Sequence, residues 1–357
     1  MSSIATLSTG TAFHYLDHIA PLAWHLEAPL IVSERKTESL AAKYYPFIPL
    51  ECIEDLEFKF ASLARFDTLI ECRYWRPHFK PVFETLHGKK IDLIFCPHGQ
   101  SDKGFGAPSL AYYAQQDAIF FYGDLHADML QKLDLWDSIP RKIRLGDYRR
   151  DYYLAHKTFY DDLIEKEIFS SLPPNQPTLL YAPTWLDDDL SSSFFEQSER
   201  VFSSLPRSWN LIVKLHPFLQ ERHPAHYIHA LERCPKGENF LLLEDFPLIH
   251  PLLARVDAYL GDFSSVGYDF LKSQRPMFFF PNDKMPKAKL RDCGLEIPDQ
   301  VSLFSFLDKH RDNPFAEKQK QLYDYAYSLK SGSTYIPFKS LSAHKPLGRP
   351  PHPPFLL

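Results

Sequence analysis

The chain has 357 residues, more than a single hydrophobic core usually serves, and this length predicts two domains of roughly 150 to 200 residues. A net charge of −5 gives no general attraction to nucleic acid, so no nucleic-acid partner is expected. No apolar run reaches the ~18 to 20 residues of a membrane span, and the N-terminus lacks a basic region followed by an apolar stretch, which predicts a cytoplasmic protein. Five cysteines without paired short spacing argue against a disulfide framework and against a thiolate metal site.

Short apolar runs alternate with helical stretches along the chain, which is typical of parallel strands joined by crossover helices. This pattern predicts an α/β protein of two doubly wound domains. In such sheets ligands bind beyond the carboxyl ends of the strands, so the cleft between the domains is the expected site. The predicted strands are residues 4–7, 30–32, 68–72, 93–96 and 118–121 in the first half, and 178–181, 211–215, 240–243, 258–260 and 277–280 in the second.

The domain boundary is predicted near Gly146 to Asp151, just before a helical pattern with apolar positions at Tyr160, Leu163, Ile164 and Ile168. Residues 1–148 are then an N-terminal domain, and residues 149–335 are a C-terminal domain. Residues 336–357 form a proline-rich tail, which we expect to be extended.

The first chemical motif in chain order is the segment from Pro97 to Gly106, directly after a predicted strand. Its glycines allow close backbone approach, and His98 carries an imidazole that can act as a general base. Lys103 can meet a phosphate as a point charge. The alternative is a glycine-rich turn with a structural histidine, and the glycine spacing does not match a dinucleotide fingerprint.

The second motif, Tyr181 to Trp185, also follows a strand. Thr184 can cap a turn that faces a phosphate, whereas Trp185 fits core packing better than ligand contact. The acidic run Asp187–Asp189 and the histidines between 223 and 229 suggest metal ligands by spacing. Their polar surroundings favour a solvated loop and an exposed helix face, so no metal site is predicted.

The third motif is Lys214-Leu215-His216-Pro217 at the end of another strand. Strand alternation places Lys214 and His216 on the same side, and Pro217 stops the strand. A cation and an imidazole at this position suit a pyrophosphate, whose negative charge grows as a leaving group departs.

The fourth motif is Asp262-Phe263-Ser264-Ser265, where a strand leads directly into a helix. Ser264 and Ser265 stand at the helix start, where unpaired backbone N–H groups and the helix dipole favour a phosphate. Asp269 lies about one turn further along the same face, where a carboxylate can accept from ribose hydroxyls. The alternative is a simple N-cap, since Asp and Ser are common capping residues.

Taken together and in this order, the motifs resemble the CDP-glycerol glycerophosphotransferase family of teichoic acid synthesis. The resemblance implies the GT-B fold, in which two Rossmann-like domains face each other across an active-site cleft. It also implies transfer of glycerol phosphate, or a related alditol phosphate, from a CDP-activated donor to a hydroxyl of a glycan or lipid-linked acceptor, with release of CMP and without a metal or other cofactor. The segments that carry it are His98-Gly99 with Lys103, Tyr181 to Trp185, Lys214 to Pro217, Asp262 to Ser265, and Arg275-Pro276.

By the same resemblance His98 matches the family's proposed catalytic histidine. Lys214, His216, Ser264 and Ser265 match the family's contacts to the donor phosphates, and His216 is also the second catalytic candidate. The resemblance makes residues 1–148 the acceptor-side domain and residues 149–335 the nucleotide-donor domain. Peripheral contact of the first domain with the inner membrane face is also implied, although no basic amphipathic helix is evident in the sequence.

The chain departs from the family pattern at three positions. Leu186 stands where the family commonly has an arginine, and Gly261 and Phe263 stand where it has threonine and tyrosine. Two other functions therefore stay open: a glycosyltransferase that uses a nucleotide sugar on the same fold, and a non-catalytic nucleotide or polymer binder.

Overall fold

The structure is a computed structural model that describes residues 3–101, 108–186, 192–282, 288–328, 336–337 and 341. Lys103, the run Asp187–Asp189 and nearly all of the proline-rich tail lie outside the described residues. By its internal contacts the chain divides into two compact units. The first contains residues 3–98 and 108–154 and the short strand at 336–337, and the second contains residues 99–101 and 155–328.

The first unit is built on a parallel sheet of eight strands. Its central strands are apolar and buried on both faces, as expected when helices cover a parallel sheet. The strands are β1 (Ile4–Ser8), β2 (Leu30–Val32), β3 (Leu50–Cys52), β4 (Thr68–Glu71), β5 (Asp92–Phe95), β6 (Ala118–Phe121), β7 (Arg141–Arg144) and β14 (Ile336–Pro337). The helices are α1 (Leu16–Leu26), α2 (Arg35–Tyr44), α3 (Phe79–His87), α4 (Asp124–Lys132) and α5 (Tyr148–Ala155).

The strand order in this sheet is β14-β7-β6-β5-β4-β1-β2-β3. The order reverses between β1 and β4, because the chain leaves β1 toward one edge of the sheet and later returns to its other side. In doubly wound sheets such a reversal opens a crevice at the carboxyl ends of the two strands.

The second unit contains a parallel sheet of six strands. The strands are β8 (Thr178–Ala182), β9 (Asn210–Lys214), β10 (Phe240–Leu243), β11 (Ala258–Gly261), β12 (Met277–Phe279) and β13 (Leu295–Glu296). Their order in the sheet is β10-β9-β8-β11-β12-β13, so the reversal lies between β8 and β11. Buried aromatic and aliphatic side chains from these strands and their helices form the core of the unit. The helices are α6 (Lys157–Glu167), α7 (Phe194–Ser203), α8 (Pro217–Arg222), α9 (Pro224–Leu231), α10 (His250–Arg255), α11 (Ser265–Phe270), α12 (Leu303–Lys309) and α13 (Ala316–Tyr327).

The division between the units differs from the sequence boundary after residue 148. Helix α5 spans that position, and its contacts hold it in the first unit, so the division follows residue 154. Arg149 on α5 donates to the Asp17 carboxylate at 2.8 Å, and both side chains are buried. Ile336–Pro337, which the sequence assigned to the tail, pairs with β7 in the first sheet.

Candidate functional site

Three neighbouring strands of the second sheet, β9, β8 and β11, end in the polar motifs that the sequence singled out. Because the strands are parallel and in close register, their carboxyl ends lie at one edge of the sheet. Thr184 follows β8, Lys214 ends β9, and Ser264 follows β11. Motifs that are far apart in sequence therefore lie along one sheet edge: the Thr184 and Ser264 motifs flank the reversal of strand order, where doubly wound sheets bind ligands, and the Lys214 motif ends the next strand.

Asp262 joins two of these motifs. Its buried carboxylate accepts hydrogen bonds from the backbone N–H of Thr184 at 2.7 Å and from that of Ser193 at 3.1 Å. The carboxylate thus ties the segment after β8 to the turn after β11. It does not act as the simple helix cap that was the alternative from sequence.

Ser264 takes the N-cap position of α11, but its side chain makes no capping hydrogen bond. The backbone N–H groups of Ser265 and Val266 have no acceptor inside the helix, because they belong to its first turn. Ser264 is buried and Ser265 is half-buried. The start of α11 therefore combines backbone N–H groups with two hydroxyl groups.

Gly261 explains one departure from the family pattern. A Cβ at this position would collide with the Tyr259 hydroxyl and would approach the Ala182 carbonyl oxygen to 2.9 Å. The Tyr259 hydroxyl also donates to the Asp262 carbonyl oxygen at 3.3 Å. In this chain the Tyr259 side chain fills the space that a larger side chain at residue 261 would need.

His216 lies beside Lys214 at the end of β9 and takes the N-cap position of α8. Its Nδ1 accepts from the backbone N–H of Phe218 at 3.2 Å. In the neutral ring this contact places the proton on Nε2. The imidazole lies among aromatic rings, with its centroid 6.4 Å from that of Trp185 and 5.1 Å from that of Phe218.

A cation lies next to Trp185 even though Leu186 replaces the arginine of the family pattern. The Arg222 guanidinium, which is exposed, lies over the Trp185 ring at 4.3 Å from the ring centroid and over the Phe218 ring at 5.0 Å. Trp185 itself is partly buried and packs against the core of the second unit, in agreement with the packing interpretation from sequence.

Asp269 lies one turn into α11 and is buried. Its Oδ1 accepts from the Tyr327 hydroxyl at 2.6 Å, which links α11 to α13. One oxygen of the carboxylate is thus committed to a helix contact, and its role toward a ribose stays a prediction.

In the first unit, His98 follows β5 and its side chain is exposed. The preceding carbonyl, that of Pro97, accepts from the buried Tyr122 hydroxyl at 2.7 Å, which fixes the segment that carries the imidazole. The ring centroid of His98 lies 4.8 Å from that of Tyr15, 5.9 Å from that of His14 and 6.4 Å from that of His18. His98 is therefore part of an aromatic and histidine cluster.

Sequence reasoning missed His14, Tyr15 and His18. Their signal was available, because His14 and His18 are four residues apart and follow the carboxyl end of β1. That spacing places two imidazoles on one helical face at the sheet edge used by His98.

Gly99 has a φ of +117°, a conformation that side chains rarely allow, and a Cβ there would lie 2.6 Å from the Ser265 Cβ. Residues 99–101 accordingly group with the second unit, as Ser265 does. A glycine is required at this position for both reasons.

Among the described residues, no group of three or more His, Cys, Asp or Glu side chains is arranged to hold a metal ion. Within the same residues, no helix has the length and apolar character needed to cross a membrane.

The sequence model of the CDP-Glycerol:Poly(glycerophosphate) glycerophosphotransferase family matches residues 142–301. A teichoic acid poly(glycerol phosphate) polymerase of Staphylococcus epidermidis is 25% identical over 155 residues, or 42% of this chain and 20% of that protein. A teichoic acid glycerol-phosphate primase of Bacillus spizizenii is 29% identical over 143 residues, or 40% of this chain and 34% of that protein. The matches thus span about a third or less of these curated relatives.

Two solved structures show the fold. The wall teichoic acid polymerase TagF superposes with a TM-score of 0.63 at 15% identity, over 93% of this chain and 85% of that chain. S. aureus MnaA superposes with a TM-score of 0.54 at 12% identity, over 92% of this chain and 93% of that chain. These similarities and the two parallel sheets confirm the predicted α/β, GT-B-like fold with Rossmann-like units.

Proposed function

We propose, from the match of residues 142–301 to the CDP-glycerol glycerophosphotransferase family model, that the protein transfers glycerol phosphate from CDP-glycerol to an acceptor hydroxyl and releases CMP. The observation that carries the proposal is that the Thr184, Lys214 and Ser264 motifs follow three neighbouring strands at one edge of the second sheet, beside its reversal. This edge offers cationic, hydroxyl and backbone N–H groups, which are the groups that bind a pyrophosphate.

In the proposed reaction the acceptor oxygen forms a bond to the phosphorus that carries glycerol. The bond from that phosphorus to the bridging oxygen breaks, and CMP leaves with the bonding electron pair. His98 takes the proton of the attacking hydroxyl as general base. Lys214, Ser264 and Ser265 hold the phosphates, and the Nε2–H of His216 stabilises the charge that develops on the leaving CMP.

Two further residues complete the proposed donor site. Thr184 positions the phosphate-facing turn through its backbone contact with Asp262, and Arg222 supplies the cation beside Trp185. Lys103 stays a proposed phosphate contact and Asp269 a proposed ribose contact.

The donor and acceptor are proposed from the relatives. A TagF structure was determined after a soak with CDPG, and another relative, of B. spizizenii, is a teichoic acid poly(ribitol-phosphate) polymerase that is 24% identical over 171 residues. We therefore propose CDP-glycerol as donor, with CDP-ribitol as the alternative alditol. The proposed acceptor is a teichoic acid chain or its lipid-linked saccharide, reached by peripheral contact with the inner membrane face.

The test is CMP release from CDP-glycerol in the presence of a glycerol phosphate acceptor. We expect His98→Ala to lose turnover by at least about 100-fold, because general-base catalysis contributes that much, while CDP-glycerol still binds. His78→Ala is the matched control, since His78 is an exposed histidine of the same unit.

A thermal-shift series with CMP, CDP, UDP and GDP separates the alternatives. Preference for UDP or GDP, with release of a nucleoside diphosphate, would support the nucleotide-sugar glycosyltransferase. Full turnover by His98→Ala would rule out the proposed base, and binding without turnover in the unsubstituted protein would indicate a non-catalytic binder.

A further inference from the structure

The reversal of strand order in the first sheet lies between β4 and β1 and holds polar residues that no motif from sequence included. Glu71 ends β4, Thr9 follows β1, and Ser33 follows β2, the next strand in the sheet. The register pairs Leu7 with Glu71 and Ser8 with Val32, so these three side chains lie along one carboxyl edge.

The Glu71 carboxyl group is unusual for a side chain at a sheet edge, because it is only 8% exposed. It accepts a hydrogen bond from the Thr9 hydroxyl, and Thr9 is its only hydrogen-bond partner among the described residues. Burial raises the pKa of Glu71 to about 7, while Thr9 and the nearby Arg73 act in the opposite direction. A carboxylate has about four lone-pair sites, so most of its hydrogen-bonding capacity is left for another molecule.

The loop after β1 is fixed in position by hydrogen bonds between Gly10 and two residues that follow β2. The Gly10 N–H donates to the Ser33 hydroxyl at 2.8 Å, and the Thr37 hydroxyl donates to the Gly10 carbonyl at 3.3 Å. Ser33 accepts in this contact, so its own hydroxyl hydrogen can donate to a ligand.

A cation completes the group. The Arg73 guanidinium packs directly against Gly10, which has a φ of +73° and no Cβ to obstruct it. Arg73 is exposed, and within the described part of the chain it forms no hydrogen bond or ion pair, although the Glu71 charge acts on it. A guanidinium in this state can bind a phosphate through two hydrogen bonds.

His98 follows β5, the strand on the other side of β4, and its register places Glu71 opposite Phe95. Adjacent strands lie about 4.8 Å apart, so Glu71 and the segment that carries His98 are neighbours on the same edge of the first unit.

We propose that Glu71, Thr9, Ser33 and Arg73 form the acceptor subsite and bind the end of a polyol phosphate. Glu71 and Ser33 bind the vicinal hydroxyls, and Arg73 binds the phosphate group on the neighbouring carbon. This inference rests on the proposed function for its place in the reaction, but its ligand chemistry follows from the four side chains. Glu71 acts here by orienting the hydroxyl that His98 deprotonates.

The test measures binding of sn-glycerol 3-phosphate and of glycerol to the full chain by saturation-transfer NMR. Replacing Glu71 with glutamine (Glu71→Gln) should weaken both ligands about tenfold, because a hydrogen bond to a charged group is lost. Arg73→Gln should weaken only the phosphate-bearing ligand, and Arg73→Lys should restore part of its affinity. Glu57→Gln and Arg76→Gln, exposed residues of the same unit, are the matched controls and should bind as the unsubstituted protein does.

Equal binding of sn-glycerol 3-phosphate by all variants, or no binding by the unsubstituted protein, would overturn the subsite. In turnover, Glu71→Gln should raise the acceptor KM about tenfold and leave the affinity for CMP unchanged. If CDP-glycerol yields no CMP while polyol phosphate binding still depends on Glu71, the proposed function fails and the subsite stands.

Discussion

Glu71 has a consequence for stability as well as for binding. Its carboxyl group has an ordinary pKa of 4.5, and burial raises the pKa to about 7 in the folded protein. Between pH 4.5 and pH 7 the folded state binds more protons than the unfolded state, so the free energy of unfolding falls as the pH rises. The slope for one group is at most about 1.4 kcal/mol per pH unit.

We therefore expect Glu71→Gln to gain stability relative to the unsubstituted protein as the pH rises from 4.5 to 7, and the difference to level off above pH 7. Urea unfolding at a series of pH values measures this difference. The Glu57→Gln control should run parallel to the unsubstituted protein. A constant difference for Glu71→Gln across the range would show that its carboxyl group titrates at its ordinary pKa.

The sequence alone could indicate a candidate site residue where its side chain did not fit the local pattern. Lys214 was a candidate because a lysine in an apolar strand has no packing role, and His98 was a candidate because it follows a strand in a glycine-rich loop. Glu71 was missed because it is a polar residue near the end of a predicted strand and belongs to no motif, and only the folded sheet shows that Thr9, after the adjacent strand β1, donates to it.

The Asp262 carboxylate fixes the turn between β11 and α11. Asp262→Asn should destabilise the protein by about 2 kcal/mol, because an amide replaces a buried carboxylate that accepts two backbone hydrogen bonds. It should also weaken CMP binding, since the turns after β8 and β11 lose their connection.

Asp257→Asn is the matched control. Asp257 accepts from the Thr178 N–H at 2.8 Å, but it is exposed and lies at the amino ends of the same strands. Urea unfolding and calorimetric titration with CMP compare the two variants. Equal CMP affinity for Asp262→Asn and the unsubstituted protein would separate this turn from the donor site.

All ten strands predicted from apolar runs are present, because buried parallel strands are continuous in hydrophobicity. Four strands were not predicted, and each is short or polar. Lys142 and Arg144 give the β7 segment the charged character of a surface loop, and Glu51 interrupts the apolar run of β3. These strands form through pairing with neighbours that are distant in sequence, which a local pattern cannot show.

The membrane contact that we propose has to depend on apolar side chains, because a net charge of −5 gives the whole protein no general attraction to anionic lipid. The first unit exposes Phe58 (85%), Val82 (50%) and Leu86 (71%). Val82 and Leu86 are four residues apart on α3 and share a face. Phe58 precedes Phe60, whose ring contacts Phe79 at the start of the same helix.

We expect the Val82→Ser and Leu86→Ser double variant to bind phospholipid vesicles about tenfold more weakly in co-sedimentation, because two apolar side chains no longer insert. Ile228→Ser on α9 is the control, since Ile228 is similarly exposed on the second unit. Anionic lipid should give no gain over neutral lipid. Equal sedimentation of all variants, or none by the unsubstituted protein, would argue against this surface as the membrane contact.

The path of the chain between the two units limits how relatives can exchange segments. The family match begins at Lys142, the second residue of β7, which lies between β6 and β14 in the first sheet. A chimaera joined there would place most of a strand from another protein in that sheet. It would also replace α5, which carries Arg149, the partner of the buried Asp17. Junctions near residues 154 and 328 keep both sheets intact. We therefore expect donor specificity to be transferred between relatives by exchanging residues 155–328, and not by exchanging only the residues 142–301 that match in sequence.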